Sequence, residues 1–344
     1  MFYISNFGLF YCKITAPENL EHPILQTHIK TNNGMRTIAP LGVWFDMLFS
    51  KEIDNAMKFG YKFEIIWGYT FKSGIIFKEY VNTLYKLRSD YPKSNPINYI
   101  AKLLLNSLYG RFGMIDQFPE IVIFNNLKEM NVFIEKEKFS GDIIDIIELG
   151  DKILVKYISD DTKTSTMLYA NLETHNVNIS IASCITAYSR IHMSQFKNNI
   201  DFKLYYSDTD SIYIDRPLLS DKVNSKILGK MKLENVLDKA IFLAPKVYYL
   251  ETINGKIIYK IKGLSHDIEL NKIDFEKLLF KESTLEKFQS KWIKKLSKGQ
   301  IEVIDQLYTL QVTDNKRKLI YNENNKLIKT EAFVINDKKE IINK

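Results

Sequence analysis

Two aspartates stand two residues apart in the segment YYSDTDSIYI, which spans residues 205–214. Asp208 and Asp210 are flanked by aromatic and β-branched residues that favour strands, and the neighbouring Thr and Ser favour a turn. The pattern predicts a tight β-hairpin with both carboxylates at its tip. Strand alternation predicts one side with Leu204, Tyr206, Ile212 and Ile214 and another with Tyr205 and Tyr213. Carboxylate pairs suit Mg²⁺, so the hairpin is a candidate metal site; an acidic turn without a metal is the alternative.

The segment KLLLNSLYG at 102–110 carries a second set of chemically useful side chains on a predicted helix. At about 100° per residue, Lys102, Asn106 and Tyr109 fall within roughly 60° of one another. The predicted core side is apolar: Ile97, Ile100, Leu104 and Leu108. An ammonium group suits phosphate and a planar ring suits stacking on a base or sugar. An amphipathic helix with a solvated polar side explains the same spacing equally well.

Two later segments are predicted to be strands that carry lysines, LAPKVYYL at 243–250 and YKIKG at 259–263. Alternation places Lys246 and Tyr248 on one face of the first strand. Lys262 belongs to the second. From about Asp267 the sequence, which includes KFQSKWIKKLSKGQ, is basic and is predicted to be helical.

Helices and turns are also predicted around these segments. Ser50 is predicted to cap a short helix that ends at Gly60. An apolar helical face over 75–88 is followed by Asn95-Pro96, which supplies a cap and a first-turn proline for the lysine-bearing helix. So short a connection predicts that the two helices pack antiparallel. A longer helix is predicted over 178–196, directly before the acidic hairpin.

Composition bounds the class of protein. The chain has 344 residues, 45% of them hydrophobic, which predicts a globular protein; short apolar runs alternating with turn signals over residues 1–70 predict mixed α and β structure there. A net charge of +7 with 13% aromatic residues suits a polyanion with stackable bases, and solubility alone is the alternative. The two cysteines form no metal or disulfide pattern. No stretch reaches the about 18 apolar residues of a membrane span, so no membrane partner is predicted.

Taken together and in this order, three segments resemble the motifs of family B DNA polymerases. KLLLNSLYG resembles the fingers motif K-x-x-x-N-S-x-Y-G, YSDTDS resembles the palm metal motif, and APKVYY resembles the K-x-Y motif. The resemblance is strongest to the protein-primed branch, which serves linear mitochondrial plasmids and small phages. It implies an α+β polymerase right hand with a palm sheet, helical-hairpin fingers and a small thumb. The implied regions are 1–74 (palm part and insertion), 75–113 (fingers), 114–265 (palm with insertion and metal hairpin) and 266–344 (thumb-like basic helical region and tail).

The resemblance also implies a role for each matching residue. Asp210 would bind the catalytic Mg²⁺ ions, with Asp208 as the supporting carboxylate. Lys102, and Arg88 on the preceding helix, would contact the triphosphate of the incoming nucleotide. Asn106 and Tyr109 would form the floor under the new base pair. The primer terminus would be held by Lys246, Tyr248 and Lys262.

One family motif has no match in these residues. Family B polymerases take a second metal-binding aspartate from D-x-x-S-L-Y-P, and nothing upstream of Lys102 fits it. Asp46, the nearest imitation, has the wrong spacing and is interpreted as an ordinary surface or capping acid. The sequence is therefore expected to be the C-terminal part of a longer polymerase, incomplete at its N-terminus and without an exonuclease domain, that supplies half of a two-metal site.

The expected function is template-directed DNA synthesis on primer-template DNA from deoxynucleoside triphosphates, and the resemblance to the protein-primed branch implies a terminal protein as primer. The abundance of Ile, Asn, Lys, Tyr and Phe suits an AT-rich genome, so a mitochondrial plasmid or organellar origin is expected. The main alternative is a catalytically inactive DNA-binding remnant of such a polymerase. A nuclease is a third hypothesis, disfavoured because a nuclease has no triphosphate for the lysine helix to hold.

Overall fold

The computed structural model describes residues 6–31, 34–114, 119–136, 141–159, 177–265, 267–295 and 300–342. These residues form two compact units. The first comprises the described residues within 1–109, 180–286 and 309–344, and the second those within 110–179 and 287–308. None of the helices in the described part of the chain is both long and apolar enough to cross a membrane.

The helices are α1 (Ser50–Met57), α2 (Lys78–Asp90), α3 (Pro96–Phe112), α4 (Leu127–Lys136), α5 (Ile179–Ser194) and α6 (Lys272–Lys277). The strands are β1 (Gly8–Thr15), β2 (Thr27–Thr31), β3 (Gly34–Ile38), β4 (Leu41–Phe49), β5 (Lys62–Thr70), β6 (Glu120–Phe124), β7 (Gly141–Leu149), β8 (Lys152–Ser159), β9 (Leu204–Asp208), β10 (Ser211–Ile214), β11 (Leu237–Ala244), β12 (Val247–Thr252), β13 (Ile257–Ile261), β14 (Thr284–Lys295), β15 (Gln300–Gln311), β16 (Lys318–Tyr321), β17 (Leu327–Glu331) and β18 (Val334–Ile335). This mixture of helices and strands confirms the predicted α+β class.

The core of the first unit lies against a four-stranded sheet in the order β18-β4-β1-β5. Strand β1 alternates strictly, with Phe10, Cys12 and Ile14 buried and the residues between them partly exposed. Trp44 of β4 and Ile53 of α1 complete the same core. Because apolar side chains occur at every second position of β1, one face of the sheet packs inward and the other faces outward.

Helix α1 follows β4 directly, but the predicted cap is wrong. Phe49 occupies the cap position and makes no side-chain capping bond. The Ser50 hydroxyl instead accepts the backbone N–H of Gly8 at 3.3 Å and is fully buried. Ser50 therefore ties the helix to the first strand of the sheet, a long-range contact that local sequence does not reveal.

The predicted antiparallel helical hairpin is confirmed as α2 and α3. The Asn95 side chain accepts the N–H of Ile97 at 2.9 Å, as expected of a cap before Pro96. Asn98 donates to the carbonyls of Arg88 and Tyr91 at 2.7 and 2.8 Å. At the other end the Tyr80 hydroxyl donates to the Leu104 carbonyl at 3.2 Å.

The predicted core side of α3 is wrong at three of four positions. Ile97, Ile100 and Leu104 are exposed. The least exposed positions instead follow the helical period as Asn98, Ala101, Leu105 and Leu108. The amide bonds of Asn98 to the end of α2 fix this rotation, since a buried amide must be hydrogen-bonded. Apolarity alone therefore misjudged the direction of the buried face by roughly 75°.

The predicted helix before the acidic hairpin is confirmed as α5, and side-chain bonds join α5 to α1. The Arg190 guanidinium makes two bonds to the buried Glu52 carboxylate, at 2.6 and 2.8 Å. Met193 in the last turn of the helix, with Phe196 and Phe202 after it, forms a small core against which Ile212 packs. The helix thus supports the acidic hairpin from one side.

The second unit contains the sheet β6-β8-β7, on which α4 packs around Phe124, Met130 and Val155. It also contains residues 287–308, where the predicted basic helix is wrong because the chain forms strands β14 and β15. Lys295 bonds to Glu302 at 2.5 Å and Ser290 to Asp305 at 2.9 Å across this hairpin. Its second strand is rich in β-branched residues, so strand pairing outweighs the helical spacing of the first. In the described part of 266–344 only α6 is helical.

Candidate active site

The acidic segment forms the predicted hairpin, in which β9 and β10 are joined by a two-residue turn of Thr209 and Asp210. Ser211 lies opposite Asp208, and Tyr213 lies opposite Tyr206. Thr209 has a positive φ of 50°, a conformation that β-branched residues rarely adopt. Asp208 therefore ends a strand, whereas Asp210 projects from the exposed turn.

The predicted sides of this hairpin are wrong. Because directly opposed residues of an antiparallel pair share a face, Tyr206 lies on the side of Tyr213 and not on that of Ile212. Ile212 packs toward the small core behind α5. Tyr205 is 54% exposed, so the hairpin is not fully buried.

The segment LAPKVYYL is not one strand but a second hairpin. Strands β11 and β12 are joined by Pro245 and Lys246, and Ala244 lies opposite Val247. Lys246 has a φ of 62°, which fits the third position of a type II turn after a proline. Pro245 was the available signal, since a proline inside an apolar run argues against a central strand. Lys246 and Tyr248 nevertheless line one surface hollow together with Asp208 and Asp210, which is called the hollow below.

Two hydrogen bonds join the two hairpins at their tips. The Lys246 ammonium lies 2.7 Å from Oδ2 of Asp208, and the Lys246 backbone N–H donates to the Tyr206 hydroxyl at 2.8 Å. The Lys246 carbonyl in turn accepts the N–H of Lys262 at 3.1 Å. The lysine turn is thus held between the acidic hairpin and the end of β13.

Four aromatic rings behind these tips hold the hairpins together. Tyr206 stacks on Phe242 with centroids 5.0 Å apart and planes 5° apart. Tyr213 and Tyr248 contact both of those rings and each other, at centroid distances between 5.0 and 6.2 Å. Sequence reasoning missed Phe242 and the structural role of Tyr206, because strand pairing between distant segments leaves no local pattern.

The electrostatics of the hollow follow from these contacts. Partial burial raises the pKa of Asp208, but hydrogen bonds from Lys246 and Thr209 and the charges of Lys246 and Lys316 outweigh it, so the pKa lies below its ordinary value. The bond to Asp208 raises the pKa of Lys246. Burial, with the nearby Tyr248 hydroxyl, raises the pKa of Tyr213. At neutral pH the hollow therefore contains an ionised Asp208 carboxylate beside a cationic Lys246.

The hollow has nine lining residues: Tyr206, Asp208, Thr209, Asp210, Ser211, Tyr213, Lys246, Tyr248 and Lys260. Lys260 lies opposite Tyr248 in the β12–β13 pair and adds a second ammonium group. The structure therefore brings four predicted residues together and adds Lys260, whose position beside Tyr248 depends on the strand register.

The other predicted site residues lie outside this hollow. Lys102, Asn106 and Tyr109 occupy exposed positions on α3, and Tyr109 is 42% exposed. Arg88 is near the end of α2 and Lys262 follows β13 at an exposed position. Their predicted contacts to nucleotide and primer stay predictions.

The donor set suits a divalent cation in part. In the described ranges the Asp210 carboxylate has no hydrogen-bond or ion-pair partner, whereas Asp208 is bound to Lys246. No group of three or more His, Cys, Asp or Glu side chains there is arranged around a possible ion. Mg²⁺ needs only one or two protein carboxylates when phosphates and water complete its shell, so Asp210 and Asp208 fit that requirement.

Comparisons with known proteins agree with this geometry. Residues 2–202, more than half of the chain, match the model of the family described as DNA polymerase type B, organellar and viral. A protein of Neurospora intermedia described as "Probable DNA polymerase" is 40% identical over 299 residues, which cover 86% of this chain and 29% of the relative. One of Ascobolus immersus with the same description is 35% identical over 342 residues, 98% of this chain and 27% of the relative.

The fold is similar to that of Phi29 DNA polymerase, solved with primer-template DNA and incoming nucleotide. The TM-score is 0.58 at 18% identity, covering 90% of this chain and 51% of that one. The chain spans less than a third of the two curated relatives. On the family match and the relatives' identity, the chain belongs to the organellar and viral family of type B DNA polymerases.

Proposed function

We propose that this chain contributes the nucleotidyl-transfer region of a template-directed DNA polymerase. The observation that carries the proposal is the hollow in which two carboxylates, Asp208 and Asp210, meet two ammonium groups, Lys246 and Lys260. Phosphoryl transfer needs mainly positioning and neutralisation of charge rather than covalent chemistry. The Phi29 polymerase of similar fold was solved with DNA and nucleotide, which supports the same substrates here.

Asp210, with Asp208 beside it, would hold Mg²⁺, which when bound stabilises charge on the attacking and leaving oxygens. The Tyr206 hydroxyl holds the backbone of Lys246 in place. The Lys246 ammonium group would exchange Asp208 for a primer phosphate when DNA binds. Lys102, Asn106, Tyr109 and Arg88 would contact the incoming nucleotide from the α2–α3 hairpin.

Primer extension by the purified chain, with Mg²⁺ and deoxynucleoside triphosphates, tests the proposal. We expect any incorporation to be lost in Asp210→Ala and kept in Asp221→Ala, an exposed carboxylate of the same unit. Incorporation that survives Asp210→Ala would contradict the assigned site.

A catalytically inactive DNA-binding remnant is the second candidate. It is favoured by the two-carboxylate donor set, which lacks a third acidic ligand among the described residues. It predicts salt-sensitive binding of primer-template DNA, weakened by Lys246→Ala, without incorporation. Asp210-dependent incorporation by this chain would exclude it.

The proposal extends to cellular setting and priming. The AT-biased composition and the organellar and viral family support replication of a linear mitochondrial plasmid or organellar DNA, with a terminal protein as primer. Cell fractionation tests the location: the chain should co-purify with mitochondria. Nucleotide transfer to a protein hydroxyl in the absence of a DNA primer tests the priming.

A further inference from the structure

The four-stranded sheet of the first unit has an outward face that carries aromatic rings in a row. Phe45 and Tyr11 have centroids 6.1 Å apart and planes 23° apart, and Tyr11 and Trp67 follow at 5.7 Å and 30°. Trp67 contacts Tyr69 edge to face at 5.5 Å. We call these four residues the aromatic ladder.

The aromatic ladder is accessible to a ligand along β5, the end strand of this sheet. Trp67 and Tyr69 are 48% and 59% exposed, although such rings are usually covered in a core. The opposite face of the same strands packs on the core around Cys12 and Trp44. The ladder is therefore distinct from the core and lies on other strands than the acidic hollow.

Charged side chains accompany the ladder on the same face. Register places Lys13 opposite Glu64 and Thr15 opposite Lys62, and Lys13 binds Glu64 at 3.2 Å. Lys62, the first residue of β5, is exposed, and so is Lys72, two residues after the strand ends. Lys13 and Lys62 against Glu64 leave this face with a net positive charge, opposite in sign to a phosphate backbone, and Lys72 adds a cation just beyond the end of β5.

We propose that the aromatic ladder is a docking surface for single-stranded DNA, with unpaired bases stacked on Trp67 and Tyr69 and phosphates near Lys62 and Lys72. Duplex DNA hides its base faces, whereas single strands present them to aromatic side chains flanked by cations. The inference rests on the proposed function, because a template-directed polymerase must handle an unpaired strand.

Tryptophan fluorescence provides a direct test, since the chain has three tryptophans. Trp44 is fully buried and Trp292 is 73% exposed, so in a Trp292→Phe background the accessible indole is Trp67. Titration with a twelve-residue oligothymidylate should quench this fluorescence. Tyr69→Ala should weaken binding about tenfold, and Lys62→Ala should reduce the slope of log K against log salt by about 0.7.

Met35→Ala, which alters another exposed apolar side chain of this unit, is the matched control and should bind as the parent does. The proposal would be overturned if Tyr69→Ala bound the oligothymidylate as tightly as the parent and unfolded at the same temperature. It would also be overturned if the quenching came from self-association of the chain. Blunt primer-template, which would bind through Lys246, distinguishes failure of this proposal from failure of the proposed function. Lys246→Ala should weaken binding of the blunt primer-template, and Tyr69→Ala should not.

Discussion

Two aspartate–lysine pairs in the first unit have similar geometry and different surroundings. Asp46 lies 3.0 Å from the Lys339 ammonium and Asp208 lies 2.7 Å from that of Lys246, and both carboxylate side chains are 28% exposed. Asp46 also accepts the hydroxyl of buried Thr27 at 2.6 Å and the N–H of Met47 at 3.0 Å. These hydrogen bonds and the ion pair engage both Asp46 oxygens, and they link β4 to β2 and to the C-terminal segment.

Asp208 has fewer structural partners and a second carboxylate nearby. Among the described residues, the Asp208 carboxylate accepts side-chain hydrogen bonds only from Lys246 and from its neighbour Thr209, the latter at 3.1 Å. Asp210 stands two residues away in the turn and Lys260 lines the same hollow. A single ion pair therefore does not distinguish the two places; the proposed site differs by its adjacent, incompletely bonded carboxylates. The following predictions test that distinction.

The largest expected difference is in metal binding. Asp210→Asn should weaken Mn²⁺ binding at the hollow at least about tenfold, because an amide replaces a charged oxygen ligand. Asp46→Asn should leave that binding unchanged, since the Asp46 oxygens are already bonded within the protein. Paramagnetic broadening of NMR signals from β9 and β10 measures this. Equal loss in both variants would remove the distinction.

Stability should show the reverse order. Asp46→Ala leaves the Thr27 hydroxyl, which is 1% exposed, without its acceptor and should lower the free energy of unfolding by about 2 kcal/mol. Asp208→Ala should cost less than about 1 kcal/mol, as expected of a partly exposed ion pair. Urea unfolding measures both. Asp46→Asn, which retains an acceptor oxygen, is the matched control and should fall between them.

Titration of Asp208 should also reveal its ion pair with Lys246. The folded-state pKa of Asp208 is depressed, so its contribution to stability is present above the ordinary value of 3.8 and is lost as pH falls through the folded pKa. Lys246→Met should raise the pKa of Asp208, because it removes a hydrogen bond and a positive charge. Carbon-13 NMR of the carboxyl group follows this change. Lys260→Met, which removes an ammonium not bonded to Asp208, should raise it less.

These contrasts also explain how much the sequence could predict. The α2–α3 hairpin was predictable because Asn95-Pro96 is a local signal, and the acidic hairpin because its turn residues lie between strand formers. The sides of that hairpin were not, since they depend on Tyr206 facing Tyr213 and on contacts with Phe242 from a distant strand. Strand pairing likewise overrode the helical spacing of 284–295, and the Asp46 contact to Lys339 joins residues 293 positions apart.

The smallest expected effect concerns Cys12, which is buried beside Asp46. Burial, and secondarily the charge of Asp46, raises the pKa of the Cys12 thiol to about 12. At pH 8 only about one thiol in ten thousand is ionised, so a thiol reagent should modify Cys12 only when the sheet opens. Asp46→Asn removes the smaller cause and leaves the larger, so labelling in the native state should change little. Cys184 serves as the internal reference. A large increase in Cys12 labelling would mean that Asp46 keeps β4 paired with β1, because the loss of one charge cannot ionise a thiol that burial still protects.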